Sequence, residues 1–145
     1  MNKQIPFRII GLEVDNFKIS QKKLQVGTPV EVRTNYEFAV VPDQHLVMAR
    51  LTYTYLQTND KLLEMSLVST FDVKPEEFQT MLKGNTFTIE PFFSRYISTI
   101  NVGAARGEIH ARCQIQESEL ASIVLPPINL IEALPDPIVI TIKEK

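Results

Sequence analysis

An α+β fold, with one antiparallel sheet followed by helices, is predicted for this chain of 145 residues. Three observations predict it. Apolar and polar residues alternate with a period of two through the first half. The apolar period lengthens to three and four after Pro75. The turns between the early alternating segments are short, which favours antiparallel neighbours. The predicted architecture is a four-stranded antiparallel meander sheet, a short crossover helix, one long helix and a short C-terminal segment. A single domain over residues 1–145 is expected.

Residues 6–20 read as the least regular strand, bent near Gly11. In residues 30–40, Val30, Val32, Tyr36, Phe38 and Val40 share one parity. Glu31, Arg33, Asn35 and Glu37 share the other, so one face meets a core and the other meets water. Pro42-Asp-Gln44 is turn chemistry. Val47, Ala49, Leu51, Tyr53 and Tyr55 then alternate with Arg50, Thr52 and Thr54. After a second turn at Thr58-Asn-Asp60, Leu63, Met65, Leu67, Phe71 and Val73 alternate with Glu64, Ser66, Thr70 and Asp72. Ile10, Leu12, Met48, Leu56, Leu62 and Val68 fall on the nominal outer parity. An apolar second face points to oligomerisation or to a binding surface.

Pro75-Glu-Glu opens a helical turn, with Pro and acids where a helix start tolerates them. Phe78, Met81 and Leu82 give its apolar side, and Gly84-Asn85 is expected to stop it. From about Ile89 the period is helical again through Phe92, Phe93, Tyr96, Ile97 and Ile100. If the helix continues, Gly103, Gly107 and Ala111 form a stripe of small residues that suits a helix-on-helix contact between subunits. If Gly107 is instead a C-cap, Ile109, Ala111, Cys113 and Ile115 alternate as an extra strand. Pro126-Pro127 breaks the backbone, Ile128 to Leu134 is at most a short helix, and Pro135 and Pro137 end it. Ile138 to Ile142 reads as a short edge strand or an ordered tail.

Fifteen basic and seventeen acidic residues leave a net charge of -2. That charge is too small to advertise nucleic acid or an anionic membrane as a partner. Cys113 is the sole cysteine, so no internal disulfide forms, and with two histidines it makes no zinc framework. No metal and no cofactor are expected. Pro6 and Arg8 interrupt the N-terminus before an apolar run develops, so neither a signal peptide nor membrane insertion is expected, and the compartment is read as cytoplasmic. His110 and Cys113 lack an orienting third group, His45 beside its turn reads as solvated, and Glu76-Glu77 are ordinary first-turn acids. No catalytic residue is therefore assigned, and an enzyme is not expected. Arg95 and Arg106 read as partners of nearby carboxylates more than as anion ligands. Phe93 is expected to pack a helix on the sheet. Phe78, Met81 and Phe87, placed along a connection, are candidates for exposure in a groove, because Met and Phe make adaptable contacts.

Ile89-Glu-Pro-Phe-Phe-Ser-Arg95, Arg106-Gly107 and Leu125-Pro-Pro-Ile-Asn129 together resemble the SecB family of export chaperones. The family pattern is an aromatic-Pro-aromatic entry to the long helix, an Arg-Gly further on, and a Leu-Pro-Pro-(Ile/Val)-Asn element before a last helix. The resemblance implies an ATP-independent holdase that keeps unfolded or preprotein segments in apolar grooves, assembled as a homotetramer that is a dimer of dimers. Carried over here, client binding falls to Phe78, Met81, Phe87, Leu125, Ile128, Ile131 and Leu134. It also implies contact with the translocation ATPase SecA through acids on the outer sheet face, here Glu13, Asp15 and Glu64. The chain departs from the export members in its weak net charge, its Ile142-Lys-Glu-Lys ending, the early stop at Pro135 and a longer stretch between Arg106-Gly107 and Leu125. Relatives attached to toxin-antitoxin systems, dedicated to a single protein partner, are the alternative that the resemblance implies.

Overall fold

The computed structural model describes residues 6–125 and 127–142. Four long strands build the main sheet: β1 (Phe7–Ile19), β2 (Glu31–Val41), β3 (Leu46–Gln57) and β4 (Asp60–Val73). The sheet is antiparallel throughout, in the order β1-β4-β3-β2. β2, β3 and β4 form the expected meander. β1 is a correction to it, because it lies beside β4 and not beside β2. The physical reason lies in residues 20–30, a long connection that carries the chain across the sheet, whereas the other connections are tight turns. The β3–β4 turn has both Thr58 (φ 51°) and Asn59 (φ 64°) left-handed. A two-residue hairpin of matching twist demands that conformation.

Two irregularities correct the parity read from the sequence. A register shift between Ile9 and Gly11 turns Leu12 to the same face as its partner Ser69. A shift at Tyr55/Leu56 leaves Leu62 as the extra residue of its pair, and it is buried. Leu12 and Leu62 therefore do not belong to the outer face. Met48 and Val68 remain there, beside Arg50.

Beyond β4 the chain forms α1 (Pro75–Met81), a hairpin of β5 (Leu82–Lys83) and β6 (Thr86–Ile89), and α2 (Pro91–Ile115). A 3-10 turn (Glu119–Ser122), α3 (Leu130–Ala133) and β7 (Ile138–Thr141) follow. β7 pairs with β6, giving a second sheet in the order β5-β6-β7 that the sequence reading did not foresee. Gly84-Asn85 is the hairpin turn of β5 and β6 and not merely a helix stop. Gly84 takes φ +61°, as the first position of such a turn requires.

The choice left open at Gly107 resolves as helix. α2 runs unbroken through Ile115, with Phe93, Ile97, Asn101, Ala105, Ile109 and Cys113 buried at intervals of four. It packs on β3 and β4. Its N-terminal half joins an aromatic core of Phe71, Phe78, Phe87 and Phe93, and its C-terminal half joins a second core of Leu51, Tyr53, Tyr55, Met65 and Leu67. Asn101 stands near the boundary and donates from Nδ2 to the Ala49 carbonyl at 3.1 Å. No helix among the described residues is long and apolar enough to cross a membrane.

Candidate client-binding surface

The proposed client residues fall into different environments. Phe78 and Phe87 are wholly buried, with ring centroids 4.6 Å apart, and the His45 ring meets Phe78 edge-on at 5.3 Å. The expected exposure of Phe78 and Phe87 is therefore corrected. Their apolar rings fill the space between the small sheet and the main sheet, and leaving them in water would cost about 1.5–3 kcal/mol each. His45 is half-buried against Phe78 rather than fully solvated. It takes φ 56°, and its carbonyl accepts the Val73 N–H at 3.0 Å. Met81, at the end of α1, is half-buried.

The C-terminal segment is held at two points by arginines of α2. Arg106 donates from Nη2 to the Leu125 carbonyl at 2.9 Å, and Arg95 donates from Nε to the Leu134 carbonyl at 2.9 Å. Both arginines thus serve carbonyls, where carboxylates were expected. Leu125 and Leu134 are buried at these anchor points. Between them, Asn129 caps α3 by accepting the N–H groups of Ile131 and Glu132. Ile128 is half-buried, while Ile131 is 66% exposed. Pro126 lies outside the described residues, as does the chain end from Lys143.

Sequence reasoning missed the neighbourhood this clamp creates. A pocket of about 200 Å³ opens between α2 and residues 120–125, floored by Tyr55 and walled by Ile109, Leu120, Ile123 and Val124. Val124 stands 86% exposed at its rim. The run Leu120-Ala-Ser-Ile-Val-Leu125 was a legible signal, because its apolar density exceeds what a solvated loop carries. Val30, just before β2, and Val32 and Tyr36 on its covered face are half-buried against the same core as Ile123 and Ile128. The hydroxyls of Tyr36 and Tyr53 are buried without a hydrogen-bond partner among the described residues. Burial, followed by the neighbouring Tyr36, pushes the Tyr53 hydroxyl up to about 12, so it is neutral at ordinary pH.

The predicted interface residues Gly103, Gly107 and Ala111 lie exposed on α2. A Cβ added at either glycine would meet nothing within 4 Å beyond its own helix. Phe92, Tyr96 and Ile115, exposed by 50%, 59% and 81%, continue this side of the helix. A cleft of about 270 Å³ runs beside the stripe, lined by Leu12, Val14, Leu67 and Ala104.

The predicted ATPase-contact acids lie on the opposite, outer side of the main sheet. Glu13 stands across from Val68, and Glu64 across from Thr54 and Lys18. Asp15 pairs with Arg50 at 2.6 Å. Glu64 accepts from Lys61 at 3.1 Å and from Asn16 at 2.9 Å, and these bonds hold its carboxyl below the usual 4.5. Cys113 is buried, with its thiol pKa raised by that burial, whereas His110 is exposed, so the two form no nucleophile pair. Among the described residues no three His, Cys, Asp or Glu side chains gather where they could share a metal ion.

No protein-family model matches the chain, and no curated protein sequence matches it. A structural likeness is found. The Mycobacterium tuberculosis Rv1957 SecB-like chaperone, solved in complex with a ChAD peptide from the Rv1956 HigA1 antitoxin, superposes with a TM-score of 0.57. The likeness covers 84% of this chain and 90% of that one, at 9% sequence identity. At that identity it speaks for the fold alone, and the fold of this chain is SecB-like.

Proposed function

We propose that the chain is a SecB-like, ATP-independent holdase that binds unfolded or preprotein polypeptide segments on apolar surface. One domain spans residues 1–145, acts in the cytoplasm without cofactor, metal or bond-making chemistry, and assembles as a homotetramer. One observation carries this reading: in a SecB-like fold, α2 packs on β3 and β4, while large apolar side chains stand in water on β1 and in the segment after α2. Ile9 and Leu12 on β1 are 45% and 48% exposed, and Val124 and Ile131 stand out in the same way beyond α2. Apolar surface of this extent is rare on a protein without a partner. Client side chains moved onto it gain about 25 cal/mol per Å² of apolar area removed from water. Two surfaces divide the work. The Gly103–Gly107–Ala111 side of α2 meets a second copy, and the 120–131 side with β2 meets the client. Of the client residues named from the sequence, Ile128 and Ile131 contribute surface directly, Met81 stands at the edge, and Phe78, Phe87, Leu125 and Leu134 act as the frame beneath.

The assay is light scattering by a reduced, unfolded client titrated with the protein. A holdase suppresses aggregation near stoichiometric amounts without nucleotide. Unaltered scattering at a fourfold excess of tetramer rejects the reading. A single dedicated partner is the second reading, supported by the antitoxin peptide bound to the mycobacterial chaperone. It predicts that one protein dominates a pull-down while general clients go unprotected. Contact with SecA through Glu13, Asp15 and Glu64 is the export form of the first reading. Asp15 and Glu64 already carry basic partners, which leaves Glu13 as the freest charge of the three.

A further inference from the structure

We propose that the pocket between α2 and residues 120–125 is a recognition subsite for an apolar side chain followed two positions later by a carboxylate, in an extended segment of the client or partner. This rests on the polypeptide-binding reading and deepens it. The pocket holds about 200 Å³. A cavity of about 150 Å³ lined by aliphatic and aromatic residues accommodates benzene, so one Phe ring or branched aliphatic side chain fits here.

Arg106 is the one formally charged side chain lining the pocket. Arg106 and His110, one turn apart on α2, line it, and no acidic side chain does. Arg106 spends one N–H on the Leu125 carbonyl and makes no ion pair among the described residues. Two acids adjacent in sequence to the lining residues are engaged elsewhere: Glu108 pairs with Arg112 at 2.9 Å, and Glu119 accepts the Leu24 N–H at 3.0 Å. Tyr53 and Tyr55 beside it are held neutral by burial and supply no counter-charge. A half-buried guanidinium with unused N–H donors at the edge of an apolar cavity is a carboxylate partner, stronger there than in open water. An extended chain puts residues i and i+2 on one side, about 6.6 Å apart. With a ring at position i in the pocket, an acid at i+2 faces the same surface, where Arg106 lies at the pocket edge.

Fluorescence polarisation on the full-length protein tests it with three labelled, unstructured peptides. They share one Phe and carry Asp, Asn or Lys at the second position after it. The Asp peptide is expected to bind about tenfold tighter than the Asn peptide, about 1.4 kcal/mol, and the Lys peptide more weakly than either. Arg106→Gln should bring the Asp and Asn peptides within about twofold of one another, and His110→Glu should favour the Lys peptide. His110 is exposed, so its variant keeps the fold even where Arg106→Gln loosens Leu125. Equal binding of the three peptides overturns the subsite while leaving the holdase reading standing. Survival of the Asp preference in both variants also overturns it. Absence of binding by any peptide overturns both. A changed native mass of His110→Glu with an unchanged peptide ranking assigns the pocket to a second copy of the chain and overturns the subsite.

Discussion

The two halves of α2 cover the sheet in opposite ways. Around Phe93 and Ile97 the helix meets a second sheet, and the space between fills with the buried rings of Phe71, Phe78 and Phe87. Around Arg106 and Ile109 it meets an irregular segment held by one arginine, which leaves a pocket and a row of apolar residues in water. A three-stranded sheet satisfies its own backbone and can close tightly over a core. A loop anchored at Leu125 and Leu134 cannot, and the surface it leaves open is available to a client. Large apolar residues therefore mean different things at the two ends, structure at one and surface at the other.

The sharpest way to break this contrast is to truncate a ring at the closed end. Phe87→Ala should destabilise the protein by about 3–5 kcal/mol, read by chemical denaturation, because it leaves a cavity in the aromatic core. If its stability holds and client protection falls instead, Phe87 is a client residue after all. Gly107→Leu sharpens the assignment of the small-residue side. It should raise helix stability by up to about 1 kcal/mol while lowering the native mass, since the new side chain meets open space in the protomer and a sister subunit in the assembly. An unchanged mass would remove the stripe from the interface. Val124→Asp at the open end should weaken client protection severalfold with a stability change within about 0.5 kcal/mol, as expected of an exposed site.

The smallest effect belongs to the outer sheet face. The bonds from Lys61 and Asn16 lower the Glu64 carboxyl below its unfolded value. Their contribution is full above that unfolded value and is lost as pH falls through the folded one. Glu64→Gln should therefore cost at most about 1 kcal/mol near neutrality, as for other surface pairs, and nothing in strong acid. A loss that persists in acid would give the residue a packing role.

The strands of the main sheet were legible in the sequence because alternation is a local signal, and so was the first half of α2 through its helical spacing, whereas beyond Gly107 the residues Ile109, Ala111, Cys113 and Ile115 fit a strand as well as a helix. The β1–β4 pairing was not, since nothing in residues 20–30 states which edge the returning strand joins. The bulges that turn Leu12 inward and bury Leu62 were hidden for the same reason, because one inserted residue reverses parity without altering composition. The small sheet had a readable mark in Gly84-Asn85, a two-residue hairpin turn, with Phe87 and Ile89 alternating after it. Helical spacing on both sides of this stretch masked it. At the proposed client surface, Ile131 and the Leu125-to-Asn129 element were visible from sequence. The pocket was not, because it depends on Arg106 reaching a carbonyl nineteen residues away.

The most direct measurement is amide hydrogen exchange of the protein alone and saturated with an unfolded client. New protection should concentrate in residues 120–131 and along β2, with no change in residues 78–89, whose large rings Phe78 and Phe87 are already buried in the free protein. Protection that appears in residues 78–89 and leaves 120–131 untouched would contradict the division between a closed frame and an open client surface.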